Sequence, residues 1–434
     1  MTLTALEAGE HLAARRDGLP VAIIGAGPIG LAVAAQLIEH GIDVVVLEKG
    51  ERAAASVSAW GHIRLFSPWS LLVAPAAERL LTAAGWRTPA ADALPTGAEL
   101  VAEYLAPLAA LPQLAPHIRY GAEVLAVSRE GMDRTRTSGR AATPFALRVR
   151  TASGTDELVA RAVIDASGTL THPNRLAASG LDPLGIDQVR AHLSTALPDV
   201  LGRERARFAG RHTLVVGAGH SAANTLIALA RLAADAPGTR ITWATRGAAA
   251  VQLGTPDADE LPARASLGSA VEAHVASGVI ARLESFEIQS LRPDAGAVRV
   301  TGRRAGETHS VSADIVVAAT GFRPDLEMLR EIRLDLDPVV EAPRRLAPLI
   351  DPNVHTCGTV SPHGVGELAH PEPDFYIAGM KSYGRAPTFL LATGYEQVRS
   401  IAASLAGDHA AAARVDLVLP TAGACSTDTA SCCS

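Results

Sequence analysis

Apolar positions in this chain come in short blocks rather than long runs. "VAII" (Val21–Ile24), "VVVL" (Val44–Leu47), "TLVV" (Thr213–Val216) and "ITWA" (Ile241–Ala244) are each bounded by glycine or polar residues. Blocks of that length and composition read as buried parallel strands. Between the members of each pair lies an alanine-rich stretch with helical apolar spacing, "PIGLAVAAQLIEHG" in the first case and "HSAANTLIALARLAADAPG" in the second. The pattern therefore predicts strand, helix, strand twice over. Elsewhere "IRYGAEVLAVSRE", "FALRVRTASG" and "LESFEIQSLRP" with "AVRVTG" read as antiparallel strands joined by turns. "PTGAELVAEYLAPLAALP" reads as a helix closed by proline, and "REGMDRTRTSGRAATP" as a polar loop. The fold class expected is α/β, with two Rossmann-like dinucleotide-binding domains and small antiparallel meanders. No internal repeat exists beyond the duplicated nucleotide-binding unit.

The residues between strand and helix carry the chemistry. In the first unit Gly25, Gly27 and Gly30 form G-x-G-x-x-G, and the second strand ends in Glu48. Gly25 makes the tight turn, Gly27 lets backbone approach a pyrophosphate, and Gly30 permits close packing of helix on strand. The helix N-terminus offers free N–H groups to phosphate, and Glu48, with Arg52 nearby, is placed for a ribose. The second unit reads Gly217-x-Gly219-x-x-Ala222, with His220 and Ser221 opening the helix. Its second strand ends not in an acid but near Arg246, and a guanidinium suits a 2′-phosphate that a carboxylate would repel. The acid-type loop is therefore expected to hold FAD and the arginine-type loop NADPH. "DASGT", with Ser167 and Gly168, and "AATGFRPD", with Thr320 and Gly321, end two further apolar strands in small-residue turns. Such turns let the chain pass beneath a dinucleotide, and they bracket the second loop.

Composition narrows the partners. The chain has 434 residues, 48% hydrophobic and 19% charged, with a net charge of −6, so it lacks a basic footprint for nucleic acid. No apolar stretch approaches the roughly 20 residues of a membrane span. The first residues carry acids and no apolar signal core, so export is not expected. Only Cys357 lies inside the chain; Cys425, Cys432 and Cys433 fall in its last ten residues. A disulfide framework is excluded on this count, and a cytoplasmic location with a small-molecule substrate is expected. A homodimer is the candidate assembly.

On these motifs, with "GAGHSAAN" and the closing "PDFYIAGMKSYGRAPTFLLATGYEQVRSIAASL", the chain resembles the two-dinucleotide-binding-domain flavoproteins over roughly residues 20–408. That group includes flavin-containing monooxygenases and thioredoxin-reductase-like enzymes. The resemblance implies an FAD domain from 1–205 and 331–420, an inserted NADPH domain at 206–330, and a flexible cysteine-containing tail at 421–434. It also implies cofactor contacts from Gly379 and Lys381. The sequence departs from the reductases in that Gly379 is followed by Met380 and Lys381 rather than by an acid and no Cys-x-x-Cys occurs, and from the monooxygenases in lacking the strict Phe-x-Gly-x-x-x-His fingerprint. Within the family the stretch after Glu48 reaches the flavin ring. Trp60, His62, Arg64, Phe66 and Trp69 crowd into it, and Trp60 and Arg64, with Cys357, are the candidate catalytic residues.

His355, Cys357, His363 and His370 lack a compact zinc spacing and read as loop residues. The adjacent Cys432 and Cys433, with Cys425, suit a soft thiophilic centre better than a disulfide. The tail resembles the C-terminal cysteine pair of mercuric reductase, and the chain is similar to bacterial flavoproteins associated with arsenic resistance. The function expected is NADPH-dependent oxidation by a flavin-monooxygenase-like enzyme, with trivalent arsenic as a candidate substrate. Reduction of a thiol-bound metal or a disulfide, and redox sensing without turnover, are the alternatives.

Overall fold

The computed structural model describes residues 15–247, 262–352, 362–387 and 389–417. Along the chain come β1 (Val21–Ile24), α1 (Pro28–Glu39), β2 (Val44–Leu47) and β3 (Ile118–Arg119). Next are β4 (Glu123–Arg129), β5 (Phe145–Thr151), β6 (Gly154–Ala160) and β7 (Ala162–Asp165). Then follow β8 (Leu193–Ser194), β9 (His212–Val216), α2 (His220–Asp235), β10 (Arg240–Ala244) and α3 (Pro262–Ala276). The central part closes with β11 (Ile280–Leu283), β12 (Phe286–Asp294), β13 (Ala297–Arg304), β14 (Glu307–Ala313) and β15 (Ile315–Ala318). Last are β16 (Phe375–Ile377) and α4 (Leu391–Leu405).

The described residues form two compact units: 15–171 with 323–352, 362–387 and 389–417, and 172–247 with 262–322. The first is built on a parallel sheet in the order β16-β7-β1-β2-β3. Its middle strands are buried on both faces, which is why they read as unbroken apolar blocks. The period of two sorts them: Val21 and Ile23 pack into the core under α1 and α4, whereas Ala22 and Ile24 face Val127, Phe145 and Leu147 of the meander β4-β5-β6. The helix layer is tight. A Cβ on Gly394 of α4 would fall 2.4 Å from Ile29 Cδ1 of α1, so a larger residue there would have to displace that side chain.

The second unit repeats the plan. Its parallel sheet runs β11-β10-β9-β15-β8. Val215 packs under α2, while Leu214 and Val216 face the meander β12-β13-β14.

The unit edges differ from the expected 205/206 and 330/331. Residues 172–205 belong to the second unit because β8 adds to the edge of β15 and because Leu176 and Val189 enter its core. Leu329 and Ile332 enter the first unit's core, which moves the other edge to Phe322/Arg323. A two-residue strand leaves almost no periodicity to read. The expected helix after Pro95 spans Gly97–Ala109, with a wide π turn at Val101–Leu105. The polar loop after β4 is only partly a surface feature, since Arg140 is 4% exposed.

Candidate functional site

Gly25 has φ +98°, and a Cβ there would sit 3.0 Å from Ala166 O and 3.1 Å from Ser167 Cα. The turn after β7 therefore passes directly against the first glycine loop. A Cβ on Gly30 would overlap Gly25 O at 1.8 Å, the close helix–strand approach its position requires. Gly27 is different: no atom lies within 4 Å of its added Cβ. Gly27 also caps α1 without a side-chain hydrogen bond, and Pro28 follows in the first turn. Open space against the uncapped start of a buried helix fits the phosphates of a dinucleotide. Glu48, 7% exposed, completes this end of the sheet. Its Oε2 accepts from Ala26 N at 2.8 Å and its Oε1 from Gly50 N at 2.7 Å. Each oxygen keeps a lone pair, so a fixed carboxylate could accept ribose hydroxyls. Arg52 is exposed at the following turn.

The departure at Met380–Lys381 has a structural answer. Lys381 is 1% exposed, and its Nζ donates to Asp165 Oδ2 at 2.6 Å and to Ser167 Oγ at 3.1 Å. Asp165 Oδ1 accepts from Ser167 N at 3.1 Å and Ser167 Oγ at 2.6 Å. The acid that ends the wholly buried β7 thus anchors both the "DASG" turn, with Gly168 at φ +72°, and the turn Gly379–Tyr383. Gly379 has φ +72°, and its added Cβ would lie 2.8 Å from Ile29 Cγ1, at the start of α1. Gly25, Ser167, Gly379 and Lys381 are therefore gathered at one end of one sheet. The sequence reading placed Asp165 at the head of the "DASG" turn but gave it no partner, although an aspartate closing a buried strand signals that it needs one.

The second loop repeats this geometry. Gly217 has φ +132°, and its added Cβ would overlap Ala319 O at 2.0 Å, so the turn leading to Thr320 and Gly321 passes against it. Gly219, like Gly27, has nothing within 4 Å of an added Cβ. Ala222 is buried where Gly30 sits in the first loop, and His220 and Ser221 are half-buried at the start of α2. Trp243, fully buried and covered by the Arg282 guanidinium at 4.9 Å, donates from Nε1 to Gly217 O at 2.7 Å. Thr320 exchanges bonds with Asn174: its Oγ1 donates to Asn174 O at 2.8 Å, and Asn174 Nδ2 donates to Thr320 O at 3.0 Å. Arg246 is exposed just beyond β10, in a turn held by Thr245 Oγ1 donating to Gly247 O at 2.9 Å.

The aromatic stretch after Glu48 divides. Trp60 is half-buried against Gly97, whose added Cβ would fall 2.8 Å from its ring. Trp69 is 3% exposed and lies in the core. Arg64 is 60% exposed, donates to Leu94 O and lies 3.9 Å from Glu99. Cys357, Cys425, Cys432 and Cys433 lie outside the described residues, as does His355. His363 and His370 have structural partners. His363 packs against Tyr383, and His370 Nδ1 accepts from Asp335 N at 3.2 Å, burial pushing its pKa down to about 4. No cluster of potential metal ligands occurs among the described residues, and no described helix is long and apolar enough to cross a membrane.

A family model for pyridine nucleotide-disulphide oxidoreductases matches residues 22–344 of the 434. The chain belongs to that family. This oxidoreductase is thus a redox enzyme that uses FAD and NAD(P)H, and the two glycine loops provide cradles of the required kind. No curated protein matches it. Among solved structures it is similar to a bacillithiol disulfide reductase from Bacillus cereus, at 19% identity and a TM-score of 0.65, covering 90% of this chain and 99% of that one. It is also similar to a cadaverine monooxygenase from Erwinia amylovora, bound to FAD, at 15% identity and a TM-score of 0.64, with coverage of 93% and 98%. A flavin monooxygenase from Stenotrophomonas maltophilia matches at 22% identity and a TM-score of 0.59, with coverage of 90% and 98%. At these identities the likeness is one of fold.

Proposed function

We propose that this oxidoreductase is an NADPH-oxidising FAD enzyme of flavin-monooxygenase type. The observation that carries the reading is the distribution of cysteine: none precedes Cys357. Neither glycine loop nor the helix behind it can therefore supply a Cys-x-x-Cys pair to relay electrons. FAD supplies the redox chemistry when bound, and the chain has to bind, orient and keep water out. Gly25, Gly27, Gly30 and Glu48 are assigned to FAD, with Ser167, Gly168, Gly379 and Lys381 at the same sheet end. Gly217, Gly219, His220, Ser221, Ala222 and Arg246 are assigned to NADPH, and Trp60 to the wall of the flavin pocket.

A second reading is reduction of a disulfide or a thiol-bound metal, favoured by the neighbouring Cys432 and Cys433 with Cys425. Trivalent arsenic, thiophilic and open to two-electron oxidation, is a candidate substrate of the first reading. The test follows NADPH consumption, oxygen uptake and hydrogen peroxide together, with and without trivalent arsenic. Monooxygenation predicts oxygen uptake equal to NADPH consumed, with peroxide falling below both once substrate is present. Full turnover under anaerobic conditions with a disulfide or a thiol-bound metal as acceptor would install the second reading instead. Slow NADPH oxidation with every acceptor would mark a sensor.

A further inference from the structure

Behind the turn Gly379–Tyr383 runs a buried hydrogen-bonded chain that the nucleotide reading does not use. Gly379 N donates to Gln397 Oε1 at 2.8 Å. A backbone N–H can only donate, so this contact fixes which end of the Gln397 amide is oxygen. Gln397 Nε2 then donates to Ser382 Oγ at 2.9 Å and lies 2.8 Å from His363 Nε2. Ser382 Oγ in turn donates to Gly379 O at 2.7 Å. The Gln397 amide has two protons, and one is directed at each neighbour. His363 Nε2 must therefore accept, which makes this histidine neutral with its proton on Nδ1. His363 is 1% exposed, and Gln397 and Ser382 are fully buried, so water cannot substitute for a lost partner.

Protonating His363 would set an N–H against an NH2. Turning the amide over would only move the clash to Gly379, so the chain has a single workable arrangement of protons. Two residues on from Gly379, Lys381 reaches Asp165 at 2.6 Å beside the first glycine loop. Among the described residues, the titratable groups on the neighbouring elements include these. Tyr383, its ring 5.6 Å from that of His363, has its hydroxyl held well above the ordinary value by burial. Glu367 accepts from Gly364 N at 3.0 Å, and Glu396 pairs with Arg399 at 2.6 Å. Arg399 also lies 3.5 Å from Asp416.

We propose that neutral His363, acting through Gln397, is a positioning residue for the FAD site. It holds the turn Gly379–Tyr383 in the shape that sets Lys381 against Asp165, and its protonation loosens that turn and weakens FAD binding. The inference rests on the first loop being the FAD site.

The test is the FAD dissociation constant of the full chain, from flavin fluorescence, between about pH 5 and 8 where histidines ordinarily titrate. Wild type should weaken by about tenfold or more toward acid, the worth of one buried hydrogen bond to a polar partner. His363→Gln keeps an acceptor without a titration, so it should bind FAD like wild type at neutral pH and stay flat toward acid. His363→Leu leaves the amide unsatisfied and should bind weakly throughout. A His363→Gln profile that falls like wild type overturns the proposal, as does wild-type affinity in His363→Leu. Should His363→Leu fail to fold, the His363→Gln profile decides alone. Failure of the FAD assignment would show separately, as a Gly27→Val variant that binds FAD normally.

Discussion

Gly27 and Gly219 hold equivalent places, with φ values of −80° and −93° that any residue can adopt. A side chain at Gly27 enters empty space in the protein and should cost the fold little. Gly27→Val should melt near the wild-type temperature yet purify without flavin, as read from its visible absorbance; a fully yellow variant would contradict the cradle. Gly25 and Gly217 are the converse case. Both have positive φ and press against neighbouring backbone, so substitution there acts on folding rather than on binding. Arg246 is exposed and available to a 2′-phosphate. Arg246→Ala should lose roughly 1.5–3 kcal/mol of NADPH preference, a factor of about ten or more, measured as the ratio of kcat/KM for NADPH and NADH. Equal ratios in wild type would remove the assignment.

Between elements, the most consequential polar contact is a buried triad. Arg129 ends β4, Arg140 comes from the polar loop, and Glu372 precedes β16; all three side chains are at most 4% exposed. Arg129 Nε donates to Glu372 Oε1 at 2.8 Å, Arg140 Nη2 donates to Oε2 at 2.8 Å, and the Arg129 guanidinium stacks 3.6 Å from the Phe145 ring centre. Burial draws Arg129 below its ordinary pKa, so the net gain from such a triad is small beside the cost of breaking it. Glu372→Ala strands two guanidiniums and should cost about 3–5 kcal/mol, read from urea midpoints. Burial alone would raise the Glu372 carboxyl, but hydrogen bonds from Arg140 and Arg129 overcome it and hold the pKa below the ordinary range. A depressed folded pKa gives stability that is present above the unfolded value, about 4.3, and lost as pH falls below it. The wild-type melting temperature should therefore drop steeply below about pH 4. Glu372→Gln should start lower and respond less.

At the scale of the molecule, each unit carries its own parallel sheet, its own helix layer and its own meander. Ligand binding should accordingly be read separately in each. In hydrogen exchange, FAD should protect the backbone at 25–30, 48–50 and 165–168, while NADPH should protect 217–222 and 245–247. Protection of both sets by either ligand alone would undo the division of labour between the loops.

Both strand–loop–helix units were legible along the chain because each is contiguous. A glycine turn, an apolar block and a helical period interact within about thirty residues, and their order carries their geometry. The polar edge strands β6 and β14 were not, since their exposed faces leave no apolar alternation. Nor were the unit edges, one of which hangs on the two-residue strand β8 and the other on Leu329 and Ile332 entering the first core. Lys381 with Asp165, Gln397 with His363 and Glu372 with its two arginines join residues far apart in the chain. No local pattern announces such a pair, because what selects it is the cost of burying each polar group alone. Only the folded arrangement of the sheets brings those partners together.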